Sequence, residues 1–242
     1  MSVIFAKTRF VYLSYEDFWE LVKISEFETC YIDEIDYNSD NVYILTPLNG
    51  ELAFPLPERK AKIIWLNIER PGENEIGELK YFDEVWMCDI NWANKTNSKF
   101  FFMASDKRLG YTGNHDKRPI SLCYENGRRQ PKLLEYDINN VQCFGEQKRK
   151  LLSEAKAMVV YHQDVPVLSP QRFCACASAH LPILYEKVPD FYPFINRKDF
   201  LSFEYDDDLK PILENDLQFL GENLFDKMCK KTTFRKEVER LL

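Results

Sequence analysis

The sequence predicts an α/β protein in two halves, each a parallel β-sheet covered by helices. Three observations predict it. Short apolar runs of strand length recur along the chain, separated by helical or loop segments rather than hairpin turns, which is the rhythm of strands joined by crossovers. That rhythm is interrupted once, at residues 109–117 (LGYTGNHDK), where two glycines, an asparagine and several charges break the pattern. And 242 residues, 45% hydrophobic and 14% aromatic, suffice for one large or two small cores. The expected division is 1–112 and 113–242.

In the first half, residues 3–5 read as a short strand and residues 15–24 have helical spacing, with Phe18, Leu21 and Val22 on one side. Residues 31–35 and 42–45 are strand candidates, the second closed by Pro47, Leu48, Asn49 and Gly50. Residues 62–68, KIIWLNI, form a buried strand by their apolar content, and residues 82–88 and 99–103 supply two more. Past the break, residues 119–124 predict a strand, 130–136 a short helix, 140–144 a strand and 146–154 a helix with Leu151 and Leu152 inward. The tail from Asp206 is helical and closes with a helix over residues 233–242.

The most informative stretch is residues 157–186, AMVVYHQDVPVLSPQRFCACASAHLPILYE. It reads as strand, loop, helix, strand. Ser169 suits the N-cap and Pro170 the first helical position, where its missing N–H is not needed. The backbone donors of Gln171 and Arg172 then face outward from a helix start at the carboxyl end of a strand, where open α/β sheets bind anions.

A net charge of −7 speaks against a general nucleic-acid binder, although residues 99–150 carry eleven basic residues against six acidic. Seven cysteines, odd in number and without a C-x-x-C pair, predict reduced thiols and no metal site. The start MSVIFAKTRF lacks the apolar run of a signal peptide, and no stretch is long enough to span a bilayer. The expectation is a cytoplasmic protein, monomeric or weakly dimeric.

The succession NNVQCFGEQKRKLLSEAKAMVVYHQ followed by SPQRFCACASAHLPILYE resembles the nucleotide-sugar-binding half of GT-B-fold glycosyltransferases, with a pattern of the form R-x-x-E-x-x-A-x-G-x-P. The resemblance covers residues 119–186. It implies a GT-B-like fold: two Rossmann-like domains with parallel sheets facing across a cleft, the N-terminal one reduced. It also implies transfer of a sugar from a nucleoside diphosphate donor, with UDP the first choice, to an acceptor held by the N-terminal half. No metal and no cofactor besides the nucleotide-sugar co-substrate are implied.

By that resemblance Arg172 is the arginine of the pattern and Pro182 its proline, with Ala177 and Ala179 among its small residues. Arg172 at a helix start can pair bidentately with a phosphate. Gly127, Arg128 and Arg129 with Lys132 resemble the turn and lysine that neutralise the departing diphosphate. Phe144 and Gly145 resemble the loop that walls in the base, and Ser169 and Gln171 join the donor site. His162 lies at a strand end near the expected sugar, where Gln163 and Asp164 suit its hydroxyls. Asp89 and His115 are candidates for an acceptor-side base, and the catalytic assignment is His162 with Asp89.

The sequence also departs from the pattern. The glutamate that grips the ribose falls at Ala175, and the glycine falls at His180, which predicts a different helix ending there. Either Glu186 or another carboxylate substitutes from nearby, or the donor is bound differently, or the domain no longer catalyses. Two alternatives stand beside the donor-dependent transferase. One gives it a DNA acceptor, as in phage enzymes that glucosylate hydroxymethylated pyrimidines, acting in the host cytoplasm with the base flipped out of the duplex. The other is an inactive donor-binding or interaction module.

Overall fold

The computed structural model describes residues 1–9, 15–46, 52–68, 73–111, 113, 118–122, 129–162 and 168–242. The first sheet contains β1 (Val3–Lys7), β2 (Glu28–Tyr31), β3 (Val42–Leu45), β4 (Lys62–Asn67), β5 (Glu84–Met87) and β6 (Lys99–Phe100), in the order β2-β1-β3-β4-β5-β6. The second contains β7 (Ile120–Ser121), β8 (Asn139–Asn140), β9 (Met158–Val160), β10 (Ile183–Glu186) and β11 (Leu201–Phe203), in the order β11-β10-β9-β7-β8. Every pairing between these strands is parallel. In both sheets the strand order reverses beside the first strand. Crevices therefore open at the carboxyl ends of β1 and β3 and of β7 and β9, where doubly wound sheets take ligands.

The helices are α1 (Glu16–Ile24), α2 (Glu73–Glu78), α3 (Ile90–Thr96), α4 (Arg129–Glu135), α5 (Gly145–Glu154), α6 (Pro170–Ser178), α7 (Lys210–Glu214), α8 (Gln218–Phe225) and α9 (Phe234–Leu241). Strand β4 shows why the sheets form. After Lys62 every residue is buried, because a parallel strand covered on both faces must be apolar throughout.

Alternation along β9 sorts the helices of the second sheet into two layers. Met158 and Val160 join a core with Phe173 of α6 and Leu152 of α5, whereas Ala157 and Val159 join a separate core with Leu133 of α4 and Leu213 of α7. The first of these cores is shared between the sheets and includes Phe5, Phe18, Trp86 and Phe101.

The last helix belongs to this shared core and packs on the first sheet. The Phe234 ring lies 5.8 Å from Phe5, 5.8 Å from Phe18 and 5.7 Å from Phe101. Arg235 ties the same helix down by donating to the carbonyls of Ser25 and Glu26 at 2.8 and 2.9 Å.

Several expectations are corrected. The strand placed at residues 31–35 lies earlier, at β2, and Ile32–Glu34 is a single 3-10 turn whose Glu34 carboxylate accepts the Tyr31 N–H at 2.9 Å. An edge strand such as β2 needs little apolar content, which is why its first two residues are exposed. The strand at residues 140–144 shrinks to Asn139–Asn140, and that at residues 99–103 to Lys99–Phe100. Helix α3 and strand β11 were not anticipated.

At the amino ends of the central strands, Glu84 receives the Lys62 ammonium at 2.6 Å, the Lys99 ammonium at 2.7 Å and the Trp86 indole N–H at 3.0 Å. Partial burial pushes this carboxyl up, but the hydrogen bonds from Lys62, Lys99 and Trp86 outweigh it and bring it down to about 2. Its contribution to stability is present in full above the ordinary glutamate value near ~4.3 and is lost as pH falls from there towards 2. Glu84→Gln should flatten the acid limb of a stability-against-pH profile in that window. An unaltered limb would show that Glu84 is not linked to folding.

Candidate functional site

The site is built where β9 and β10 run out and α6 begins. The chain leaves β9 through Tyr161 and His162, both buried, and returns through Leu168 and Ser169. Glu186, at the end of β10, accepts the His162 backbone N–H on Oε2 at 2.5 Å, and His162 Nε2 lies 2.9 Å from the Glu186 carbonyl. A carbonyl only accepts, so Nε2 carries a ring proton. Glu186 and His162 thus fix each other at the carboxyl edge of the second sheet.

Ser169 is extended and its N–H donates to the Tyr185 phenol oxygen at 2.9 Å. It occupies the N-cap and Pro170 the first turn, as expected, but the Ser169 hydroxyl makes no capping bond. From Phe173 to Ala179 the helix and its cap are buried, with the Phe173 ring stacked on Phe194 at 4.0 Å. Gln171 and Arg172 are the half-exposed residues of the first turn. Among the described residues the Arg172 guanidinium makes no hydrogen bond and no ion pair. Its charge is felt one turn below: burial pushes the Cys176 thiol up, while Arg172 and Lys148 pull it down.

The departures from the family pattern have physical reasons. Ala175 is 4% exposed and faces the shared core, so a carboxylate there would be desolvated. His180 corrects the expectation of a different helix ending. It takes φ +56°, and the helix closes with the Leu181 N–H on the Cys176 carbonyl (2.9 Å) and the His180 N–H on that of Ala177 (3.0 Å), the paired bonds of a Schellman motif. A histidine holds this left-handed position because Nδ1 meets Glu222 at 2.9 Å and the ring stacks on Phe225 at 3.7 Å.

The turn Phe144-Gly145, expected to wall in a base, is docked on α1. Gly145 has φ +51°, and a Cβ there would lie 2.4 Å from the Glu16 carboxylate. Immediately below, the Asp17 carboxylate pairs with both Lys148 and Arg149. Between α1, the start of α5, β2 and the end of β1 lies a pocket of about 520 Å³.

Lys132 is not brought to Arg172. It sits on α4 in the opposite layer, 3.7 Å from Glu135 and 5.5 Å from the Tyr205 ring centre. Asp89 caps α3, accepting from the N–H groups of Asn91 and Trp92 at 2.8 and 3.1 Å. Its carboxylate therefore has a structural task, which the sequence did not reveal because α3 was not anticipated. Arg128, Asp164, Gln163 and His115 lie outside the described residues. Of the eleven basic residues of the middle segment, Lys99, Arg108, Arg118, Lys132, Lys148 and Arg149 each pair with a carboxylate. Sequence reasoning missed Asp17, whose partner Arg149 lies 132 positions off in the chain, and Tyr185, whose phenol meets the Ser169 N–H. Among the described residues, no group of three or more His, Cys, Asp or Glu is placed to hold a metal, and no helix is long and apolar enough to cross a membrane.

The fold defines a GT-B-like α/β protein, in which two parallel sheets share one hydrophobic core. The solved structure of TarM has this fold: TM-score 0.58 at 10% identity, covering 87% of this chain and 55% of that one. Two further similarities are to accessory secretory protein 1, 2 and 3 of Streptococcus pneumoniae (0.48, 12% identity, 84% and 53% covered) and to the Glycosylation Associate Protein (Gap123) complex of Streptococcus agalactiae (0.41, 8%, 86% and 52%). The chain thus spans about half the length of the solved proteins it resembles. No protein-family model and no curated protein matches it.

Proposed function

We propose that the chain is a glycosyltransferase that binds a nucleoside diphosphate sugar, with UDP as nucleotide, at the start of α6 and moves the sugar to an acceptor hydroxyl. The observation that carries this reading is Arg172: a partly buried arginine on the first turn of a buried helix, at the carboxyl edge of a doubly wound sheet, without a carboxylate among the described residues. A diphosphate seated there meets a cation and a helix start, both favouring the charge that grows on the leaving group. His162 and Glu186 stand at the adjoining strand ends, beside the sugar in this reading. By the resemblance alone, Arg128 serves the diphosphate and Asp164 the sugar.

A DNA acceptor is the less supported reading, because six of the eleven basic residues that suggested it are ion-paired. Nor does Ala175 argue for an inactive module. That position faces the core, and Glu186 supplies a carboxylate at the strand ends.

Thermal unfolding with UDP and GDP tests the proposal. A nucleotide at a hundred times its dissociation constant stabilises by ~2.7 kcal/mol, a shift of several degrees. Arg172→Ala should weaken nucleotide binding by roughly 10- to 100-fold, the worth of hydrogen bonds to a charged group. An unchanged shift in the variant removes Arg172 from the site, and no shift with either nucleotide overturns the proposal.

A further inference from the structure

One buried side chain on β10 ties the start of α6 to the second sheet. Side chains alternate along this strand, so Ile183 and Tyr185 join the shared core while Leu184 joins the core of the other layer. Tyr185 is fully buried and lies in register with Val160, the last residue of β9. Its ring is stacked on Phe173 at 5.4 Å, meets Phe191 edge-on at 5.8 Å and lies 5.4 Å from the ring of His162. A phenol wedged among these rings has little room to swing, and its oxygen is delivered to one place.

That place is the Ser169 N–H, 2.9 Å away. Ser169 is bonded on both sides: its N–H donates to Tyr185, and its carbonyl accepts the Arg172 N–H at 3.1 Å. Pro170 has no N–H to offer, and the Ser169 hydroxyl makes no capping bond. The backbone of Arg172 is therefore registered to the sheet through Ser169 and the Tyr185 oxygen. The same ring flanks His162, whose backbone N–H is held by Glu186, the residue after Tyr185. Tyr185 thus stands between the group assigned to the diphosphate and the group assigned to the sugar.

We propose that Tyr185 is a positioning residue of the donor site: its hydroxyl holds the first turn of α6, and with it Arg172, at a set distance from His162. This rests on the donor site assigned above. Tyr185 touches no substrate and acts through Ser169. A binding constellation tolerates only ~0.5 Å of slack, so freeing the turn costs affinity even when every substrate-facing side chain is kept.

Tyr185→Phe keeps the ring and deletes the oxygen. Tyr161→Phe is the matched control, because Tyr161 follows the neighbouring strand, joins the core of the other layer, and its hydroxyl has no hydrogen-bond partner among the described residues. Calorimetric titration with UDP and amide hydrogen exchange, both on the full chain, supply the readouts. In Tyr185→Phe the UDP dissociation constant should rise about tenfold, the worth of one partly buried hydrogen bond. Exchange should quicken across residues 168–172 and not elsewhere, and Tyr161→Phe should match the parent in both measurements. UDP bound as tightly by Tyr185→Phe as by the parent overturns the positioning role and leaves the donor site standing. An equal loss in Tyr161→Phe overturns it as well, by tracing the effect to a general loosening of the sheet. Exchange that quickens throughout the second sheet in Tyr185→Phe also overturns it, because Tyr185 is then a core residue only. If the parent itself binds no UDP, the donor site falls and the positioning role falls with it.

Discussion

Replacing Asp17 with alanine is expected to lower the free energy of unfolding by about 3–5 kcal/mol, the usual result of removing one partner from a buried ion pair. The Asp17 side chain is 5% exposed, and its two partners, Lys148 and Arg149, are 10% and 16% exposed. Two cations would be left in a desolvated seam with no other carboxylate paired to them. Urea unfolding measures the loss. Because the contact joins α1 to α5, the variant should also unfold less cooperatively, with a lower m-value, as the two sheets begin to separate independently. Adding Lys148→Met to Asp17→Ala should return part of the stability. A loss below about 1 kcal/mol in the single variant would show that water reaches the seam and solvates the cations.

Gly221→Ala is the second large effect. A methyl group at this position in α8 would lie 2.0 Å from the His180 carbonyl oxygen and 2.6 Å from its carbon. The obstacle is backbone, and it is the same backbone that closes α6 in the left-handed turn at His180, whose carbonyl also accepts the Gln218 amide at 3.1 Å. Neither helix can give way without undoing that cap. A destabilisation of about 3 kcal/mol or more is expected, at the upper end of overpacking costs. Thermal unfolding reads it as a fall of roughly 5–10 °C. If the melting temperature is unchanged, α8 does not seat against α6 as closely as described.

How much of this the sequence shows depends on the length scale of each interaction. Runs such as Lys62–Asn67 carry their own signal, since a strand covered on both faces is apolar at nearly every position. The Ser169-Pro170 helix start was legible for the same reason, as both preferences act within one turn. Edge strands and short capped helices were not. The exposed residues of β2 look like loop, and α3 depends on one carboxylate, Asp89, meeting two N–H groups.

The candidate site shows the same divide. Arg172 was found from its neighbours. Lys132 was grouped with it by resemblance to the family's glycine-arginine turn and lysine, yet the alternation of β9 side chains sends α4 to the opposite layer. The ion pair of Asp17 with Arg149 joins residues 132 positions apart, and no local pattern announces it.

The seat of Phe234 against Phe5, Phe18 and Phe101 sets a clock on biosynthesis. Those three rings leave the ribosome long before the residue that covers them, and at ~5–20 residues per second the interval from Phe101, the last of them, to Phe234 is on the order of seven to thirty seconds. Throughout that time the first sheet is an unfinished nascent body with an aromatic socket open to any passing apolar segment. Final closure comes only when α9 emerges and Arg235 reaches back across 210 positions to Ser25. Clipping α9 therefore harms the part of the protein made first, and a nascent chain stalled before it is the form that chaperones should hold.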